Sequence, residues 1–364
     1  LADYDEDDYS TDNWDILVGY INSAKGAVNE LTDIAEVESY DVDSVKADCD
    51  SVWRLRTRVY TREQLVEALE ISDEVILMAD IVHEGEYDYA NDRINIAAYD
   101  KDYNVKINLN GYNLGYLINI TNYKSSTKSY HGGAKVTIIN ENSDGGAVGA
   151  LDVSGLYYGL QVFGNESVEV LLSSVKFMGE FGGLATNGLN EGAKISALNC
   201  HFESEGVGAY LPANHDYYFT DCVFRAGTAI HIKSGSLALN NCELYASAEY
   251  EEPTHNNNGS NITGNGLMVE PTKGYFARLS VNIEGGKITS EHGYAVEEVA
   301  FLNAGVPAYA EVSINNCQLL GALGEYQSEN DCISISPYLT VDTDGLAVIL
   351  KSELVQENGN GKIC

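Results

Sequence analysis

Tyr210, His231, Lys233, Glu270 and Glu297 are the residues whose types suit acid–base chemistry and whose spacing can bring them together. The first three lie in or just after short apolar strands led by glycine, such as Gly206-Val-Gly-Ala-Tyr-Leu211 and Gly227-Thr-Ala-Ile-His-Ile232. Gly264-Asn-Gly-Leu-Met-Val269 and Asn330-Asp-Cys-Ile-Ser-Ile335 have the same shape. In a strand with one buried face, side chains alternate inward and outward. Aligning the inward pairs Ala209/Leu211, Ile230/Ile232, Leu267/Val269 and Ile333/Ile335 leaves an outward column of Gln161, Ala185, Tyr210, His231, Met268, Glu297 and Ser334. A second outward column holds Phe163, Asn187, Pro212, Lys233, Glu270 and Ser336. Removing a proton beside a sugar carboxylate needs a base, and His231, Lys233 or Tyr210 suits that role once its pKa is tuned. As ligand-binding residues the pattern offers Tyr210, His231, Lys233, Glu270, Glu297 and Asp331. The same set also reads as a Lys233–Glu270 cross-rung ion pair among surface side chains, worth little in stability.

The strands that must position these residues are set by a repeated turn. It reads Leu171-Leu-Ser-Ser174-Val-Lys-Phe177, Ala197-Leu-Asn199-Cys-His-Phe202 and Phe219-Thr-Asp221-Cys-Val-Phe224. It returns as Leu239-Asn-Asn241-Cys-Glu-Leu244, Ile283-Glu-Gly285-Gly-Lys-Ile288 and Ile314-Asn-Asn316-Cys-Gln-Leu319. The residue between two such strands has to bend the chain sharply, and Asn, Asp and Gly tolerate the left-handed backbone this needs. Three short strands per repeat, without helices between them, predict stacked triangular rungs of a solenoid.

In this rhythm residues 100 to 340 resemble a right-handed parallel β-helix of the pectin-lyase-like type. The resemblance implies an all-β fold with three strands per coil, a helix over the N-terminal end and a ligand groove on the first-strand face. It does not carry a catalytic set with it. Polygalacturonase-like hydrolases share Asn-Thr-Asp, Asp-Asp, Gly-His-Gly and Arg-Ile-Lys elements, of which only Asn330-Asp331 resembles the second. Pectate-lyase-like enzymes place an Arg and calcium-binding Asp residues on this face. The seven arginines, at 54, 56, 58, 62, 93, 225 and 278, fall in neither column.

Calcium is the one cofactor the sequence leaves open. Asn140-Glu-Asn142-Ser-Asp144-Gly145 spaces oxygens like the start of a calcium loop, but its twelfth position is Leu151. Asp342-Thr-Asp344-Gly345 is shorter still, and both segments read equally as turns. Of the seven cysteines, Cys200, Cys222, Cys242 and Cys317 follow the turn residue directly. Small sulfur side chains stacked rung on rung read as core. Neighbouring rungs at about 4.8 Å leave Cys200–Cys222 or Cys222–Cys242 bridges open.

The chain has 364 residues, 55 acidic against 21 Lys plus Arg, and a net charge of -34. Such a surface repels phosphate backbones and anionic lipid, which removes nucleic acid as a partner. An anionic polysaccharide needs a local basic groove or bridging calcium. No apolar run is long enough to predict membrane insertion. The expected organisation is an acidic disordered tail over 1–13, a helical spacer segment over 14–57 and the β-helix over 58–364. Within the spacer, helix is expected over 14–52, with Ser44 as a second N-cap. This segment resembles the helical spacers of bacterial surface proteins. Thr61 with Gln64 offers a capping box for the end-covering helix.

Two functions follow from these patterns. One is a monomeric secreted or cell-surface protein that binds a glycan or other surface ligand without turnover, adhesin-like. The alternative is a polysaccharide lyase or glycoside hydrolase with an atypical site around His231, Lys233 and Tyr210.

Overall fold

The computed structural model describes residues 4–85, 87–142, 146–149, 158–188, 191–254, 259–271, 279–298 and 310–323. It also describes the backbone of the strands at 333–335, 339–342, 355–357 and 360–363. Among them the chain winds as a right-handed parallel β-helix with three strands per coil. Each coil contributes a strand to a floor sheet, then to a back sheet, then to a shorter corner sheet. In one coil these are Thr228–Ile232, Gly235–Asn240 and Glu243–Ala246. Among the described residues the floor and back sheets each have 11 strands and the corner sheet 7, all in chain order apart from a terminal floor-sheet hairpin. That hairpin, Val355–Glu357 with Asn360–Ile363, pairs antiparallel to Ile333–Ile335.

The repeated turn has the backbone its residues predict. Ser174, Asn199, Asp221, Asn241 and Asn316 have φ of 52° to 58°, and Gly285 has 69°. Side chains of successive turns touch along the stack. Asn199 Nδ2 donates to Ser174 Oγ at 3.2 Å, and Asn241 Nδ2 to Asp221 Oδ1 at 2.6 Å. Asn110, with φ of 51°, makes the same bend two coils earlier, where no cysteine follows to mark it.

Inside the coils, Phe177, Phe202 and Phe224 stack with centroids 5.4 and 4.8 Å apart. Cys200, Cys222 and Cys242 are buried free thiols in consecutive rungs, so the bridges left open by the spacing are not formed. Their sulfurs donate to backbone carbonyls instead, as from Cys222 to Thr220 at 3.3 Å and from Cys242 to Phe219 at 3.4 Å. Cys332 and Cys364 lie outside the described residues.

The N-terminal part differs from expectation in three ways. Residues 4–10 are not a free tail. Ser10 caps a helix that begins at Thr11 and runs to Asn29 (α1). Asp8 meets Arg58 at 2.8 Å and Arg56 at 3.4 Å. The helical segment is also more divided than expected: Ile34–Ser39 (α2) lies between α1 and the expected second stretch, Val42–Asp50 (α3). The cap of α3 is Asp41, whose carboxylate accepts from the Ser44 amide at 2.9 Å, so Ser44 is the third helical residue. Finally, the β-helix starts before the residues that resemble it. Arg54–Val59 is already a back-sheet strand, parallel to Ser72–Leu77. Between these two strands, Arg62–Ile71 (α4) buries Leu65, Ala68 and Leu69 against the first rungs. Thr61 Oγ1 accepts from the Gln64 amide, while Gln64 Oε1 accepts from Tyr60 N one residue early.

Candidate functional site

The register of the floor sheet places the predicted columns in line. Gln161 pairs with Ala185, Ala185 with Tyr210 and Tyr210 with His231. His231 in turn pairs with Met268 and Met268 with Glu297. Lys233 and Glu270 each follow the last residue of their strand, at the same edge of the sheet. Tyr210, His231, Lys233, Glu270 and Glu297 are therefore gathered on one face.

That face is not a groove. His231 and Glu270 have no exposed surface and Lys233 has 1 %. Tyr210 and Glu297 are buried too, at 6 % and 7 %. The cover comes from the long connection between Ala246 and Leu267, whose residues 255–258 are outside the described set. Lys233 Nζ donates to Gly259 O at 2.8 Å, and the Asn261 amide lies 3.4 Å from His231 Nδ1. Tyr250 donates to Glu297 Oε1 at 3.1 Å, and Asn265 Nδ2 donates to the other oxygen. The surface aromatic and the surface ion pair expected here are both interior features.

The protonation pattern follows from these contacts. With Nδ1 accepting from Asn261, His231 carries its proton on Nε2 and donates it to Glu270 Oε2 at 2.8 Å. Burial pushes the His231 pKa below its ordinary value, against the pull of Glu270. Burial likewise lowers Lys233, whose ammonium lies 3.3 Å from the same carboxylate oxygen. For Glu270, burial works toward a raised pKa, but His231 and Lys233 outweigh it and hold the carboxyl below its usual range. Lys233 also sits 5.7 Å from the Tyr210 ring centroid, and that ring is 5.5 Å from His231. A neutral imidazole, a carboxylate and an ammonium are thus locked together. They have proton donors and acceptors, but none of the three side chains exposes more than 1 % of its surface.

The remaining candidates fall elsewhere. Asn140 is at the edge of burial, and its Oδ1 accepts from the Gly111 amide at 2.7 Å, so that oxygen serves the fold. Asn142 is exposed, and Asp144 lies outside the described residues. Asp342 ends the back-sheet strand Leu339–Asp342, whereas Asp331 and Asp344 are outside the described residues. Among the described residues no group of three or more His, Cys, Asp or Glu side chains could hold a metal ion.

Sequence reasoning missed the residues that complete the cluster, namely Tyr250, Asn261 and Asn265. A signal did exist. A lysine, a histidine and a glutamate on one face beside an insertion rich in Asn and Thr need hydrogen-bond partners if that insertion folds back. A second missed contact lies earlier on the floor, where Tyr89 donates to Gln161 Oε1 at 2.6 Å. His215 was also missed. Its Nδ1 accepts from the Ala193 amide at 3.2 Å, while Nε2 is buried with no hydrogen-bond partner among the described residues.

No family model matches the sequence, and no curated protein matches it either. A solved structure of a pectate lyase double variant from Xanthomonas campestris is similar at a TM-score of 0.35 and 13 % identity. The match covers 80 % of this chain and 81 % of that one. At that distance it carries nothing about activity, and the sheets described above establish the fold.

Proposed function

We propose that this is a secreted or cell-surface β-helix protein that binds a glycan or other surface ligand without turning it over. The observation that carries the reading is the burial of the cluster best suited to catalysis. His231 and Glu270 have 0 % exposure and Lys233 1 %, and catalysis needs a base within hydrogen-bond reach of a bound substrate. Missing hydrolase and lyase motifs support the same reading. So does the net charge of -34, which disfavours nucleic acid and anionic lipid as partners. Among the described residues no helix is long and apolar enough to cross a membrane.

The test is incubation with a panel of polysaccharides, following unsaturated-product absorbance and reducing ends, in parallel with binding to immobilised glycans. Binding without turnover is the expected result. Turnover that His231→Ala abolishes would sink the reading and restore the lyase or hydrolase alternative.

A further inference from the structure

The acidic charge of this chain is not evenly spread. From Tyr103 to Asn140 there is no Asp or Glu, although the whole chain has 55. The same stretch holds Lys106, Lys124, Lys128 and Lys135. Lys106 is neutralised by Glu74 and Glu141, and Lys135 lies 3.9 Å from Glu169. Lys124 and Lys128 have no carboxylate partner among the described residues. Two cations without a carboxylate partner on so acidic a protein form a local basic spot, and a nearby anion is drawn to it.

Both lysines sit on a two-stranded hairpin, Tyr123–Lys124 with Ser129–Tyr130, which leaves the β-helix between the floor strand Ile118–Thr121 and the back strand Ala134–Ile139. Tyr123 and Tyr130 face each other across the hairpin with centroids 5.2 Å apart and planes at 53°. Lys124 Nζ is 5.6 Å from the Tyr99 ring centroid, and Tyr99 stands edge-on to His131 at 6.3 Å. These three tyrosines are half-buried rather than sealed. Thr127 and Ser129 share a hydroxyl hydrogen bond at 2.6 Å, and Ser129 reaches His131 Nε2 at 3.0 Å. The nearest acid in sequence before this stretch, Asp102, is turned to the Gly133 amide at 2.6 Å.

Aromatic ring faces pack against the C–H faces of a pyranose with large contact at low entropic cost. Nearby hydroxyls and ammonium groups read its polar edge. We infer that the 123–131 hairpin, together with Tyr99, is a subsite for an acidic sugar residue. The rings take the sugar face, and Lys124 and Lys128 take its carboxylate or sulfate. The inference rests on the glycan-binding reading and gives it a place away from the buried cluster.

The test measures binding by calorimetry to three oligosaccharides: a hyaluronan fragment, a sulfated dextran fragment and a neutral dextran fragment of matched length. At least one acidic fragment is expected to bind at least about tenfold more tightly than neutral dextran, with affinity falling as salt is raised. The preferred fragment tells carboxylate from sulfate recognition. Tyr123→Ala with Tyr130→Ala should lower affinity for that fragment about tenfold or more. Lys124→Gln with Lys128→Gln should remove the preference for acid and flatten the salt dependence. The lysine pair lies on an exposed hairpin, so it remains a fair test if the tyrosine pair disturbs folding, which unchanged thermal melting excludes. Acidic binding that survives both double variants would overturn the hairpin assignment while leaving glycan binding intact. Binding of neutral dextran alone would overturn it in the same way. No binding to any glycan, here or on the wider panel, would remove both readings.

Discussion

Glu270 accepts a hydrogen bond from His231 across one rung at 2.8 Å, and neither side chain exposes any surface. Lys233 shares the same carboxylate oxygen. Removing one member of such a buried set costs more than the set contributes, because the remaining charge stays in the interior uncompensated. Glu270→Ala is expected to lower unfolding free energy by about 3–5 kcal/mol. Glu270→Leu with Lys233→Met should recover most of that loss. Guanidinium unfolding midpoints with a common slope measure both. A loss under about 1 kcal/mol for Glu270→Ala would mean that water already reaches the cluster beneath its loop.

His215 sets an acid limit to stability. Burial pushes its pKa from 6.5 down to about 4, so the fold prefers the neutral ring. Its contribution is complete above pH 6.5 and is lost as pH falls from there to about 4, where the unfolded chain takes up the proton first. The loss from this one group is on the order of 3 kcal/mol. Denaturant titrations at pH 7, 5.5 and 4 should show a smaller decline for His215→Phe than for the native chain. Parallel pH profiles would show that His215 is not the group responsible.

Gly285 and Gly286 occupy one turn, yet they should respond differently to a side chain. Both have left-handed φ, 69° and 79°. A Cβ at 285 would meet nothing nearer than 3.8 Å, whereas one at 286 would come within 2.2 Å of the Cys242 carbonyl oxygen. Gly285→Asn puts at 285 the residue that other coils use for this bend, so it should fall within about 1 kcal/mol of native stability. Gly286→Ala adds a backbone clash to the left-handed cost of about 1–2 kcal/mol and should exceed that range. Equal losses in thermal or denaturant unfolding would argue against the clash.

Cys200, Cys222 and Cys242 should resist alkylation while the protein is folded. All three are sealed inside the coil, at 0, 0 and 3 % exposure, so the reagent cannot reach them. This holds although hydrogen bonds from its two neighbours pull the Cys222 thiol down to about 4, while Cys200 and Cys242 are pushed up. Iodoacetamide labelling followed by peptide mass mapping should find these three unmodified in native buffer and fully modified in denaturant. A mapped disulfide between any two, or rapid native labelling, would contradict the packed column.

The coil was legible because its determinants are local. Alternation of Leu237, Leu239, Cys242 and Leu244 around Asn241 states which residues face inward, and each turn residue states its own backbone. The outward columns followed from that alternation alone, and the sheet register keeps them in line from Gln161 to Glu297. What covers those columns was not legible. Where the connection after Ala246 folds depends on contacts such as Lys233 to Gly259 and Tyr250 to Glu297. No periodicity encodes those contacts. Burial also reversed the meaning of Lys233, since a charged side chain reads as solvated until its partner is known. The acidic tail went wrong for the same reason. Asp8 looked like solvated charge because its partners, Arg56 and Arg58, lie some fifty positions away. In the sequence their strand reads largely as part of the helical spacer.

That strand is also where the stack of rungs could be continued by another molecule. Arg54–Val59 is the outer edge of the back sheet. An open edge invites a foreign strand to add itself and so begin a filament. Here Arg54, Arg56 and Arg58 stand along the edge, with Asp50 and Asp8 holding them from the helical segment. An incoming strand has to strip these charges before it can pair. The paired charges along Arg54–Val59 thus guard this edge of the back sheet against strand addition.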